Sequence, residues 1–288
     1  MAKIVAGTAQ IGFKYGNFKK KVSQARANGI LNKIINKKIT YVDTASAYGF
    51  SERYIGNFCK KNSISFKIIT KLKPFLFKKK KDIINHIDSN IEKSLRDLNA
   101  TIIHYYLIHD IKNLNRNVIN HLLEYKKKGK IKNIGISIYT INDFKKVKKF
   151  KEIDAVQIPF NLIDQQFFNI INSNKKYTIF VRSILLRGNI KKNDIIFPFK
   201  KKYLKLKEEL SKLKIEFKKK DYISLSMSFI KSFKNINYIV IGFQNENQLN
   251  LINKYNQAIP LKKNQLQKLK KITKNYNKLS KDIDLRNW

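Results

Sequence analysis

The sequence predicts an α/β chain closed into a single-domain (β/α)8 TIM barrel. Three observations lead there. Short apolar runs alternate with longer amphipathic segments along the whole chain, the apolar runs number eight, and 288 residues suit one such barrel. Alternating strands and helices favour parallel strands joined by right-handed crossovers. Eight repeats favour closure over an open doubly wound sheet. No G-x-G-x-x-G follows the first run to mark the dinucleotide-binding version of the open sheet.

Residues 4–6, 39–42, 66–70, 102–108, 133–136, 155–158, 179–181 and 238–241 read as buried strands, because each is short and apolar. Between the third and fourth, residues 82–98 put Ile83, Ile84, Ile87, Ile91, Ser94, Leu95 and Leu98 on one stripe of a helix. Residues 117–128 and 142–150 behave similarly, and Thr140 with Asp143 makes a weak capping-box pattern before the latter. Glu52 is expected to begin the helix after the second strand, where its charge suits the dipole. His86 and His121 fall in helices and read as surface or packing residues. The lysine-rich stretch 200–220 reads as an exposed insertion or a charged helix, and no interdomain linker is evident.

Lysine and arginine total 61 against 20 acidic residues, a formal charge of +41. A nucleic-acid or anionic-membrane binder is one reading. Composition is the other: the chain is rich in Ile and Asn, which like Lys have A/T-rich codons, and poor in Gly, Pro, Ala and Trp. The basic residues are spread over the length, at 78–81, 126–128, 200–202 and 218–220, rather than gathered on one helix. No specific nucleic-acid partner is therefore expected. Weak attraction to polyanions remains, with faster capture of an anionic substrate at low salt. Cys59 is the only cysteine, so no internal disulfide forms. No apolar leader opens the chain and no run reaches the roughly 20 residues that span a bilayer. A soluble cytoplasmic protein without a membrane partner is expected. The sequence leaves the oligomeric state open. The motifs H-E-x-x-H, C-x-x-C and G-x-S-x-G are absent, so no metal is expected.

In such a barrel, active sites gather at the carboxyl ends of the strands. Asp43 is placed at the end of the second strand, Tyr48 in the loop that follows, Lys71 at the end of the third strand and His109 at the end of the fourth. Strand parity puts Tyr105, Leu107 and His109 on one face, with His104 and Tyr106 on the other. Taken singly, each of the four has a plain structural use: a cap, a loop anchor, one lysine among many, a polar residue at the rim. Joint placement on neighbouring strand ends points to a shared site. The four suit carbonyl reduction. Hydride addition creates an alkoxide, and a phenol can meet it with a proton. An ammonium beside the phenol favours its ionised form. A carboxylate holds the ammonium in place, and an imidazole orients the carbonyl. Tyr48, Lys71, Asp43 and His109 take these roles in turn. The hydride has to come from a cofactor.

The segment VDTASAYGFSERYIG from Val42, IITKL from Ile68 and YYLIHD from Tyr105 resemble landmarks of the aldo-keto reductase family. GKIKNIGIS from Gly129, DAVQIPFN from Asp154 and VIGFQNENQL from Val240 follow in the family's order. The opening GTAQIGFKYG from Gly7 resembles a bacterial subgroup associated with cell-surface sugar biosynthesis. The resemblance covers nearly the full length and implies one reductase-like barrel domain over residues 1–288. It implies NADPH or NADH as cofactor and a small-molecule aldehyde or ketone as substrate, a sugar among the candidates. It also implies cofactor contacts at Gly7, Thr8, Asp43, Ser137, Gln157, Arg182, Ser183, Gly242, Gln244, Asn245 and Gln248, the last group at a helix start that can receive a phosphate.

The chain departs from the family at three places. Ile138 stands where an asparagine is common, Arg182 where a tyrosine commonly stacks under the nicotinamide, and Gln244, Asn245 and Glu246 where a basic residue commonly grips a 2′-phosphate. The Arg182 guanidinium can stack on a ring, but its charge opposes oxidised nicotinamide. NADH and NADPH both stay open. The altered ring-binding positions motivate an alternative, a non-catalytic nicotinamide-binding regulator or scaffold on the same barrel. The substrate walls are expected in long loops that include residues 187–202.

Overall fold

The structure is a computed structural model that describes residues 2–12, 22–185, 200–242 and 250–274, without the side chains of 200–203 and 250. Eight parallel strands close into a barrel in sequence order, each paired with its chain neighbours and the last with the first. They are β1 (Lys3–Gly7), β2 (Tyr41–Asp43), β3 (Lys67–Leu72), β4 (Ile103–Ile108), β5 (Ile131–Ser137), β6 (Ala155–Pro159), β7 (Thr178–Arg182) and β8 (Tyr238–Gly242). Around them run α1 (Ala9–Gly12), α2 (Gln24–Asn36), α3 (Ser51–Asn62), α4 (Lys80–Asp97), α5 (Arg116–Lys127), α6 (Ile141–Val147), α7 (Phe168–Ser173), α8 (Lys200–Glu216), α9 (Tyr222–Lys231), α10 (Asn250–Gln257) and α11 (Lys263–Lys274).

All eight expected strands are present, with shifted ends. β2 starts at Tyr41 because the Ile39 N–H closes the end of α2 on the Ile34 carbonyl at 3.2 Å. β3 runs on through Leu72, so Lys71 lies inside the strand, in register with Leu107. α6 ends at Val147 rather than residue 150, since the chain tightens there into three-residue turns, Lys149 N–H to the Lys146 carbonyl and Phe150 N–H to that of Val147. The capping box between Thr140 and Asp143 is formed on both sides. Of the two readings of residues 200–220, the helix is realised. Leu206, Leu210, Leu213 and Phe217 form its buried stripe against α11, and the Lys268–Glu216 ion pair crosses between the two helices.

Two apolar cores follow from strand alternation. Val5, Tyr41, Ile69, Leu107, Phe180 and Tyr238 fill the barrel interior, with the rings of Phe180 and Tyr238 stacked 4.5 Å apart. Tyr105 packs edge-on to Phe180, while Tyr106 joins the core between strands and helices, as parity requires. A packed interior leaves only the mouth of the barrel for ligands.

Five helix ends are built alike. A left-handed residue follows the helix, and the next N–H reaches back to the last turn. The left-handed residues are Lys38, Ser63, Asn99, Gly129 and Lys218.

Candidate active site

The strand register sets the mouth. Gly7 at the end of β1 lies beside Asp43 of β2 and Gly242 of β8. Asp43 and Lys71 form a buried pair, each carboxylate oxygen 2.8 Å from Nζ. Nζ also donates to the Thr44 carbonyl at 2.7 Å. Gln157 adds its amide nitrogen to Asp43 Oδ1 at 2.8 Å. Burial pulls the Lys71 ammonium below the ordinary lysine range, the Asp43 carboxylate opposes that fall, and the Arg182 charge adds to it.

Tyr48 sits in the turn after β2. The turn is tied to β3 by Ser46, whose hydroxyl donates to the Lys71 carbonyl at 2.9 Å, and closes at Gly49 with φ +56. Lys71 Nζ lies 5.1 Å from the centre of the Tyr48 ring. The three ammonium protons are already taken by Asp43 and Thr44, so the cation acts on the phenol through space and the ring face rather than through a direct hydrogen bond.

His109 is the first residue beyond β4, and its ring stands edge-on to Tyr48, 5.8 Å between centres and 80° between planes. Burial first, then the charges of Lys71 and Arg182, bring its pKa down to about 3. The imidazole is therefore neutral and able to donate one N–H. Its Nδ1 is buried without a partner among the described residues.

The remaining expected contacts divide. Ser137 and Gln157 are neighbours in register, both buried at the mouth. Arg182 ends β7 with its guanidinium 4.1 Å over the Tyr139 ring and Nη2 3.3 Å from the Ile138 carbonyl. Ser183 follows it in a left-handed conformation, φ 59, its carbonyl receiving the Asn161 side chain. Thr8 is a brace. Its hydroxyl donates to the Asp43 carbonyl at 2.9 Å and accepts from Ser51, which in turn accepts from Thr44. Gln244, Asn245, Glu246 and Gln248 lie outside the described residues, as does residues 187–199 of the expected substrate loop.

Glu52 has a buried partner as well. It lies in the first turn of α3 as expected, but it is 3 % exposed and its carboxylate accepts from the Thr70 hydroxyl at 2.7 Å. Burial raises its pKa. It is tied to β3 through Thr70, the residue that precedes Lys71. His121 is likewise held, by Asp88 at 2.6 Å, and His86 by the Lys73 carbonyl at 2.9 Å.

The residue reading missed two groups. Gln10 covers Gly242, where an added Cβ would lie 2.6 Å from its amide, and its Oε1 is buried without a partner among the described residues. Gln165, in the loop after β6, also has a buried Oε1 without a partner among the described residues. Polar residues within the GTAQ and IDQQ stretches were the only available signal. With His109 Nδ1, these atoms offer an imidazole nitrogen and two amide oxygens for a polar ligand, as a carboxamide-bearing nicotinamide is. The residues present fit that group. Among the described residues no cluster of three metal-ligating side chains exists, and no helix is long and apolar enough to cross a membrane.

The model of the aldo/keto reductase family matches residues 3–274. The chain belongs to this family. Its members are NAD(P)H-dependent oxidoreductases that bind NADPH or NADH. The aldo-keto reductase YhdN of Bacillus subtilis (strain 168) is 26% identical over 166 residues, which is 54% of this chain and 50% of YhdN. The chain thus matches about half the length of that curated relative. Aldo-keto reductase AKR11C1 from Bacillus halodurans, in its holo form, is 20% identical with a TM-score of 0.76, covering 94% of this chain and 91% of its own. Glycerol dehydrogenase AKR11B4 from Gluconobacter oxydans is 20% identical with a TM-score of 0.73, covering 97% and 91%. These two likenesses concern the barrel fold.

Proposed function

We propose that this aldo-keto reductase uses NADPH or NADH to reduce the carbonyl of a small aldehyde or ketone, with open-chain sugars among the candidates, and that Tyr48 donates the proton. One observation carries the reading: a buried Asp43–Lys71 pair lies beneath a phenol, and a neutral imidazole stands edge-on to that phenol. The carbonyl oxygen is received by the Tyr48 hydroxyl and a His109 N–H. A reduced nicotinamide, when bound, would supply the hydride. As negative charge builds on the oxygen, the Tyr48 proton moves to it and a phenolate remains. The Lys71 ammonium stabilises that phenolate until solvent returns the proton. Asp43 keeps the ammonium charged, and Gln157 steadies Asp43. Gly7, Ser137, Gln157, Arg182, Ser183 and Gly242 are proposed to hold the cofactor, together with Gln244, Asn245 and Gln248. One barrel domain carries the reaction, and its proposed setting is the cytoplasm, consistent with the single, buried, unpaired Cys59.

Titration with NADH and NADPH, then a carbonyl panel run with the form that binds, tests the reading. Tyr48→Phe is expected to keep cofactor affinity and to lose roughly 10²–10⁴-fold in turnover, the usual contribution of a positioned proton donor. Unchanged turnover removes Tyr48 from the role. Tight binding with no turnover of any carbonyl favours the regulator or scaffold reading instead.

A further inference from the structure

Among the described residues, the charges at the mouth do not cancel. Asp43 and Lys71 neutralise one another at 2.8 Å. His109 is uncharged over the physiological range. Arg182 remains. Its guanidinium is fixed from two sides, by the Tyr139 ring at 4.1 Å and the Ile138 carbonyl at 3.3 Å. Among the described residues no carboxylate comes within ion-pair distance of it. It sits on the last residue of β7, and its charge reaches both Lys71 and His109, so it shares the mouth with the reacting groups. The backbone around it is also constrained. The Phe160 N–H donates to its carbonyl at 3.2 Å, and the left-handed Ser183 follows.

We infer that Arg182 is a redox-state discriminator: a fixed cation, unpaired with any carboxylate among the described residues, that makes the site bind the reduced, uncharged nicotinamide more tightly than the oxidised, positively charged one. The inference rests on the proposed function, because hydride delivery to a carbonyl held by Tyr48 and His109 puts the nicotinamide in the same mouth. Hydride loss places a positive charge on the ring, and the two positive charges then repel in a partly buried, poorly screened site. The result is a site that retains the reductant and releases its oxidised form, while the same charge opposes the positive charge that hydride loss develops on the ring. Arg182 is a specificity-determining residue in this scheme. It transfers no proton.

Dissociation constants for NADH and NAD+, and for NADPH and NADP+, measured by fluorescence and calorimetric titration, test this within whichever pair binds. The wild type is expected to favour the reduced form by roughly 10–100-fold, the scale of one unit-charge repulsion across several ångströms at an effective dielectric near 20. Arg182→Gln is expected to lose most of that preference, chiefly by binding the oxidised form better, and Arg182→Lys to keep it. Raised salt should narrow the wild-type ratio only slightly. Equal binding of both forms by the wild type overturns the inference without recourse to a variant, as does a preference that survives in a folded Arg182→Gln protein. Failure of both forms to bind overturns the cofactor reading itself and this inference with it.

Discussion

A methyl group added at Gly12 would stand 1.8 Å from the carbonyl oxygen of Tyr48. The end of α1 and the turn that carries the phenol therefore touch backbone to backbone, and the Phe50 N–H bonds the Gly12 carbonyl at 3.1 Å. Gly12→Ala must push that turn away. Since a displacement of about 1 Å at a reacting group can cost about 100-fold, kcat is expected to fall by that order while NAD(P)H affinity changes little. Steady-state kinetics beside a cofactor titration check it. A variant with full kcat would mean that the turn yields without moving the phenol.

Asp43→Asn leaves Lys71 buried at 1 % exposure with no counter-charge. Stripping one partner from a buried pair costs about 3–5 kcal/mol. A matching drop in urea-unfolding free energy is expected. Adding Lys71→Met should recover much of the lost stability and none of the activity. A double variant no more stable than Asp43→Asn would show that the pair is not what stability depends on there.

His109 predicts an acid limb in stability. Its pKa is about 3 in the folded protein against 6.5 for an ordinary imidazole. Between these values the unfolded chain binds a proton that the folded one refuses. Stability therefore falls as pH drops from 6.5 towards 3, by up to about 1.4 kcal/mol per pH unit from this residue. His109→Gln should flatten that limb in denaturant titrations run downward from pH 6.5, leaving the part due to His104, whose pKa burial also lowers. A slope identical to that of the wild type would refute the neutral, buried imidazole.

Glu52 has the opposite sign. Burial raises its folded-state pKa, so its contribution to stability is present at low pH and is lost as pH rises through that folded value. Glutamine at this position still accepts from Thr70 and carries no charge. Glu52→Gln should gain on the wild type as pH moves from acid to neutral. Glu52→Ala should lose about 1–3 kcal/mol by orphaning the Thr70 hydroxyl. Thermal or urea unfolding at two pH values separates these outcomes. A glutamine variant that weakens as pH rises would reverse the assignment.

The barrel was legible because its signal is local. Each strand is a short apolar run, and alternation alone placed Leu107 inside and Tyr106 outside. Asp43, Tyr48, Lys71 and His109 were legible as a group because each follows or closes such a run, and topology then brings neighbouring strand ends together. What stayed hidden depends on contacts distant in sequence. Glu52 looks like a dipole-matched residue until Thr70, on another element, is seen to bond it. The ties of the Thr8 hydroxyl to Ser51 and to the Asp43 carbonyl are invisible until the fold brings these residues together. The direction of the Lys71 protons, towards Asp43 and Thr44 and away from the phenol, is a matter of side-chain geometry that no spacing encodes.

The left-handed helix ends have a practical consequence. Only one of the five is glycine, in a chain with ten glycines among 288 residues. At Lys38, Ser63 and Lys218 the side chain crowds its own backbone by roughly 1–2 kcal/mol, a strain that glycine would relieve against roughly 0.4–1 kcal/mol of extra freedom in the unfolded chain. The scarcity of glycine thus leaves unused thermal headroom at exposed corners far from the mouth, where an engineer can harden this barrel without touching its chemistry.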